Sequence, residues 1–69
     1  MTIGELVRLD DRRAAARGLY KFNSLHLAME FAYRALKLHF VLHGDCGRYW
    51  VAIGHLAREL ERAGYEIVA

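Results

Sequence analysis

The sequence predicts a small α+β domain in which an antiparallel sheet carries two helices on one of its faces, behind a basic N-terminal segment. Three observations predict it. Aromatic and apolar residues alternate with polar ones in "LYKF" (19–22) and "RYWVAI" (48–53), apolar residues recur at helical spacing in 25–38 and 55–63, and glycine or asparagine punctuates the junctions. From residue 18 onward the order is strand, helix, strand, strand, helix, strand. The division implied is residues 1–17 as a basic extension and 18–69 as one α+β domain.

Each element follows from its own residues. "IGELVRL" (3–9) is apolar at Ile3, Leu6, Val7 and Leu9, which fits either a helical turn or a short strand. "DDRRAAAR" (10–17) reads as helix or as a solvated connection: alanine and arginine favour helix, Asp10 or Asp11 is suited to cap it, and Gly18 should end it. "LYKFN" is a short alternating strand that runs into Asn23 and Ser24, both good N-cap residues. The polar residues His26, Glu30, Arg34 and Lys37 then fall in one narrow stripe of a helix. That helix should be buried on most of its girth, against the sheet and a second copy.

The stretch "HFVLHGDCGRYWV" (39–51) has two readings. If the helix continues to His43, His39 lies about 220° round from His26, among apolar residues, at the cost of burying an imidazole. If it stops near Lys37 or Leu38, "HFVLH" is a strand, "GDCG" a tight turn and "RYWVAI" the returning strand. The second reading is the one adopted. "HLARELERAG" then supplies a charged-faced helix stopped at Gly64, and "YEIVA" closes the chain as a strand.

This order of elements resembles the ferredoxin-like β-α-β-β-α-β arrangement, a layout shared with RNA-recognition modules and, more loosely, with SPOR domains. The resemblance lies in the order alone. No family motif accompanies it, so no functional residue is carried over.

Composition bounds the function. With 69 residues and 55% of them hydrophobic, the chain has more apolar surface to bury than a small monomer usually hides, and a single cysteine, Cys46, excludes an internal disulfide. Homodimerisation is the default expectation. The N-terminus carries Glu5, Asp10 and Asp11 and has no secretory pattern, so the chain reads as cytoplasmic. The apolar stretch 25–42 holds Glu30, Arg34 and Lys37, and each charge costs about 2.5–3.5 kcal/mol at a membrane helix centre, which argues against membrane insertion.

Candidate chemistry is sparse. His39, His43, Cys46 and His55 have zinc-ligand side chains, but two histidines four apart on a strand lie about 13 Å from each other, too far to share one ion. No metal or other cofactor is therefore expected. Cys46 at the tip of a turn lacks the enclosed pocket that nucleophilic catalysis needs, and no glycine-rich phosphate loop is present, so a non-enzymatic role is expected.

Binding is the stronger reading. With Tyr49, Val51 and Ile53 turned to the helices, Arg48, Trp50 and Ala52 would point to an open sheet face beside Lys21. Trp50 is the expected anchor of a protein interface with Arg48 and Lys21 at its rim, unless the N-terminal segment folds over it and makes it core. The alternative use of the same face is nucleic-acid binding, with Trp50 stacking a base and Arg12, Arg13 and Arg17 of the basic segment holding phosphates.

Overall fold

The computed structural model describes residues 1–69. Two short helices open the chain, α1 (Ile3–Arg8) and α2 (Asp11–Ala16). Both are set by local caps. Thr2 and Glu5 form a reciprocal capping box on α1, and the Asp10 carboxylate accepts from the Arg13 N–H at 2.8 Å on α2. Gly18, at φ +90°, ends α2, and the Leu19 N–H donates to the Ala14 carbonyl at 2.9 Å.

The sheet follows as β1 (Tyr20–Phe22), β2 (His39–His43) and β3 (Tyr49–Ile53), all antiparallel, in the spatial order β1-β3-β2. The hairpin reading of 39–51 is the one the backbone adopts, closed by a 3-10 turn at Asp45–Gly47 in which Cys46 is the one non-glycine residue with positive φ, at 58°. Helix α3 (Leu25–Arg34) connects β1 to β2 with Ser24 as its N-cap. It ends at Ala35, which turns extended, short of the predicted stop near Lys37 or Leu38. Helix α4 (Gly54–Arg62) follows β3 directly, and the closing segment lies along the outer edge of β2 rather than forming a full strand. There Val41 donates to the Ala69 carbonyl and His43 to the Glu66 carbonyl, both at 2.8 Å.

The expected ferredoxin-like layout, with both helices on one face, is not the one found. Strand alternation sends Val41 and Val51 to one side, where they meet Ala28 of α3. Leu42, Trp50 and Ala52 go to the other, where they meet Leu56, Ala57 and Leu60 of α4 together with Leu6 of α1 and Ala14 of α2. The sheet is thus covered on both faces. The physical reason is that both faces of β2 and β3 are apolar, so a second layer is needed, and residues 3–16 complete it beside α4.

Candidate functional site

Of the residues expected at the open sheet face, Trp50 is buried with Lys21 over its ring, and Arg48 is tied to the N-terminal segment. Trp50 is 1% exposed. Its ring packs against Tyr65 at a centroid distance of 4.9 Å, and the Lys21 ammonium lies 5.0 Å from its centroid on a cation-π contact. Lys21 also donates to the carbonyls of Val7 (2.9 Å) and Leu9 (2.8 Å), satisfying the C-terminal end of α1. The lysine ties the N-terminal helix to the edge strand, and its charge is used internally.

Arg48 is committed in the same way. Its guanidinium grips Asp11 through two parallel bonds, Nη1 to Oδ1 at 2.8 Å and Nη2 to Oδ2 at 2.6 Å, and so pins the start of α2 to the β2-β3 hairpin. That pair holds the Asp11 carboxyl below its usual range and raises the Arg48 guanidinium, chiefly through the hydrogen bonds themselves. Burial, followed by the bond from the Tyr65 hydroxyl to Asp45 at 3.1 Å, pushes the Tyr65 phenol upward. The expected interface anchor is therefore core, and its basic rim is bound to the N-terminal segment. Its cause is the N-terminal segment folding over the sheet face. Arg12, Arg13 and Arg17 remain exposed, with Arg13 beside Asp10 at 3.8 Å and the other two outside any ion pair.

The assembly also explains a glycine. A Cβ on Gly44 would stand 2.2 Å from Cε2 and 2.3 Å from Nε1 of Trp50, so the ring lies directly on the bare backbone of the turn. Its indole N–H has no hydrogen-bond partner.

The four residues with metal-ligand side chains are dispersed. His39 and His43 sit at opposite ends of β2. His39 packs edge-on to Phe31 and donates from Nδ1 to the Lys37 carbonyl at 2.7 Å, while His43 stacks on its cross-strand partner Tyr49 at 5.1 Å. Cys46 is exposed at the hairpin tip and His55 lies in the first turn of α4. No three histidine, cysteine, aspartate or glutamate side chains converge on a point that could hold a metal ion.

Two surfaces that the sequence pattern did not single out are formed instead. One is an apolar groove of about 240 Å³ between the end of α3 and the edge of β2, lined by Met29, Ala32, Tyr33, Leu38, Phe40 and Ala69 among others. At its rim Tyr33 is 80% and Leu38 74% exposed, and the neighbouring Leu36 is fully exposed. A helical reading that runs to Leu38 hides this feature, because it places Leu36 and Leu38 on a buried face. The other is a cavity of about 350 Å³ at the opposite side of the β2 start, where basic side chains from three separate segments meet. Nothing in the spacing of Arg17, Lys37 and His55 signals it, since only the strand order brings them together. No helix is long and apolar enough to cross a membrane. Comparison with family models, with curated proteins and with solved structures gave no match to this chain.

Proposed function

We propose that this chain is a non-catalytic protein-interaction module that acts as a homodimer, joined through the apolar surface at the end of α3. The observation that carries the reading is that projecting and receiving apolar surface occur in one patch: Leu36 and Leu38 stand out beside the groove lined by Met29, Ala32 and Tyr33. A patch with both knob and hole supports the reading, because a two-fold contact between identical chains requires one surface to supply both. Burying each leucine there contributes about 1.5–3 kcal/mol, and the aromatic ring of Tyr33 adds a large contact area without many rotamers to freeze. Leaving the same side chains in water has no structural use.

Sedimentation across a dilution series tests the reading, on the natural chain and on Leu36→Glu. The natural chain should be dimeric and separate on dilution. Leu36→Glu should be monomeric at every concentration and still fold, with a melting temperature that no longer depends on concentration and matches that of the natural chain at high dilution, because residue 36 is fully exposed in the single chain. A monomeric natural chain at all concentrations would refute it. The nucleic-acid reading lacks its stacking platform while Trp50 is in the core and rests on the exposed Arg12, Arg13 and Arg17. Oligonucleotide binding that weakens steeply with salt, together with a monomeric chain, would put that reading in place of association.

A further inference from the structure

We infer that the end of the sheet where β3 passes into α4 is a binding site for the phosphate group of a small organic phosphate. The site is made by topology. Pairing of Ile53 with His39 and of Val51 with Tyr20 puts the start of β2 and the start of β1 on either side of the central strand's end. The residues just before those strands therefore flank the point where α4 begins. Arg17 arrives from one side, at the C-cap of α2, and Lys37 from the other, two residues before β2. His39 and His55 complete the basic lining of a single cavity of about 350 Å³, with Tyr20 and Leu56 supplying apolar wall.

No ion pair ties up the charge in this cavity. No aspartate or glutamate lines it, and the ion pairs of the molecule, Arg13 with Asp10, His26 with Glu30 and Arg48 with Asp11, all use other residues. Glu59, one turn along α4, shares one adjoining groove with Arg17 and another with His55, and forms an ion pair with neither. Two fixed cations, Arg17 and Lys37, at a concave site with no carboxylate in its lining form a local positive field that favours an anion.

Donor geometry agrees with the charge. Because a carbonyl only accepts, the bond to Lys37 puts a proton of His39 on Nδ1, so the ring's Nε2 donates to an anion only in the imidazolium form. Helix α4 starts on Ile53, which offers no side-chain cap, so the first-turn amides of His55 and Leu56, two residues of the lining, add donors without an intrahelical partner. Guanidinium and ammonium donors from separate segments lining one cavity, with backbone amides of a helix start beside them, suit the several oxygens of a tetrahedral oxyanion. The apolar wall of Tyr20 and Leu56 suits the organic part of a phosphate monoester rather than the bare ion.

Amide and imidazole chemical shifts of the full chain, recorded at constant ionic strength with chloride as the background anion, test this. The probes are inorganic phosphate, adenosine monophosphate and a short single-stranded oligonucleotide. Saturable shifts at Gly54, His55, Leu56 and the His39 ring, tighter for the nucleotide than for the inorganic ion, are the result expected. Arg17→Gln with Lys37→Gln should weaken the nucleotide about tenfold or more without moving the melting temperature, since both side chains are exposed and unpaired. Three results overturn the inference: no saturable shift with either small phosphate, equal affinity in the double variant, or shifts elicited only by the oligonucleotide and spread over Arg12 and Arg13. The last would mark a diffuse polyanion surface. Arg17→Glu, a charge reversal at one exposed position, serves as a second variant and should abolish the small-phosphate shifts.

Discussion

Replacing Gly44 by alanine is expected to destabilise the fold by about 3 kcal/mol, the upper end of the usual overpacking range. The new methyl would stand 2.2, 2.3 and 2.5 Å from Cε2, Nε1 and Cδ2 of Trp50, where ordinary contact begins at 3.4 Å, so the ring must retreat by about 1.2 Å. It has nowhere to go: Tyr65 packs on it at 4.9 Å, the Lys21 ammonium lies at 5.0 Å, and the ring itself is rigid. For a chain of this size the whole folding free energy is only roughly 3–10 kcal/mol, so the change removes a large share of it. At about 4–8 °C per kcal/mol the melting temperature should fall by about 12–24 °C. Urea unfolding followed through the single tryptophan gives the number directly. Gly47 supplies the control, since it has a positive φ of 71° and nothing within 4 Å of a Cβ, so alanine there meets only backbone strain of about 1–2 kcal/mol. If Gly47→Ala proves the more damaging of the two, turn conformation and not clearance for the ring accounts for the glycines. Should Gly44→Ala fail to fold, the double variant with Trp50→Phe, which trims the ring, must recover stability relative to Gly44→Ala alone.

Three other outcomes follow from the same assembly. Lys21→Met matches the length of the lysine's aliphatic stem and removes the ammonium, leaving the Val7 and Leu9 carbonyls without their donor. It should cost about 1.5–3 kcal/mol in urea unfolding, and a loss within error of zero would show that those carbonyls find water instead. Because Asp11 is held below its usual 3.8 in the folded chain, its contribution is present above that pH and lost as the pH falls through the folded value. Melting temperatures measured downward from pH 5 should therefore decline less steeply in Asp11→Asn than in the natural chain, and identical slopes would contradict this. Tyr65 has the opposite sense: its raised phenol stabilises the fold below the usual 10.0 and loses that contribution as the pH climbs through the folded value. Tyr65→Phe should accordingly flatten the alkaline limb, whereas an unchanged limb would show that Tyr65 is not the group responsible.

Much of the fold was legible because it rests on local chemistry. Ser24 before Leu25, Gly18 and Gly64 after their helices, and the two glycines around Asp45 and Cys46 each announced a boundary. One local signal went unused: Thr2 and Glu5 are three apart, which spells a capping box and decides for helix over strand in 3–8. Alternation sorted the faces of β3 correctly, with Val51 on one side and Trp50 on the other, but it does not state whether a face is open. That depends on contacts between residues distant in sequence. Lys21 reaches Val7 and Leu9 across more than ten residues, and Arg48 reaches Asp11 across 37. The apolar groove stayed hidden for a different reason, since α3 ends at Ala35 without a glycine or proline to mark the stop.

These contacts make residues 1–17 part of the structure that holds Trp50, and a truncated chain beginning at Gly18 measures how much. Removing them deletes Leu6 and Ala14 from the core, takes the carbonyl acceptors from Lys21 and leaves Arg48 without Asp11. The lost leucine alone is worth about 2–5 kcal/mol, and a half-buried guanidinium left without its carboxylate adds to that, so the deficit reaches the total stability of a chain this small. The fragment 18–69 should accordingly unfold at ambient temperature, with red-shifted, readily quenched tryptophan emission, while the full chain stays blue-shifted and protected at every dilution. A cooperatively folded fragment with an exposed Trp50 would mean the opposite: that the sheet stands on α3 and α4 alone, that the N-terminal helices are a detachable cover, and that the face beneath them is available to a partner.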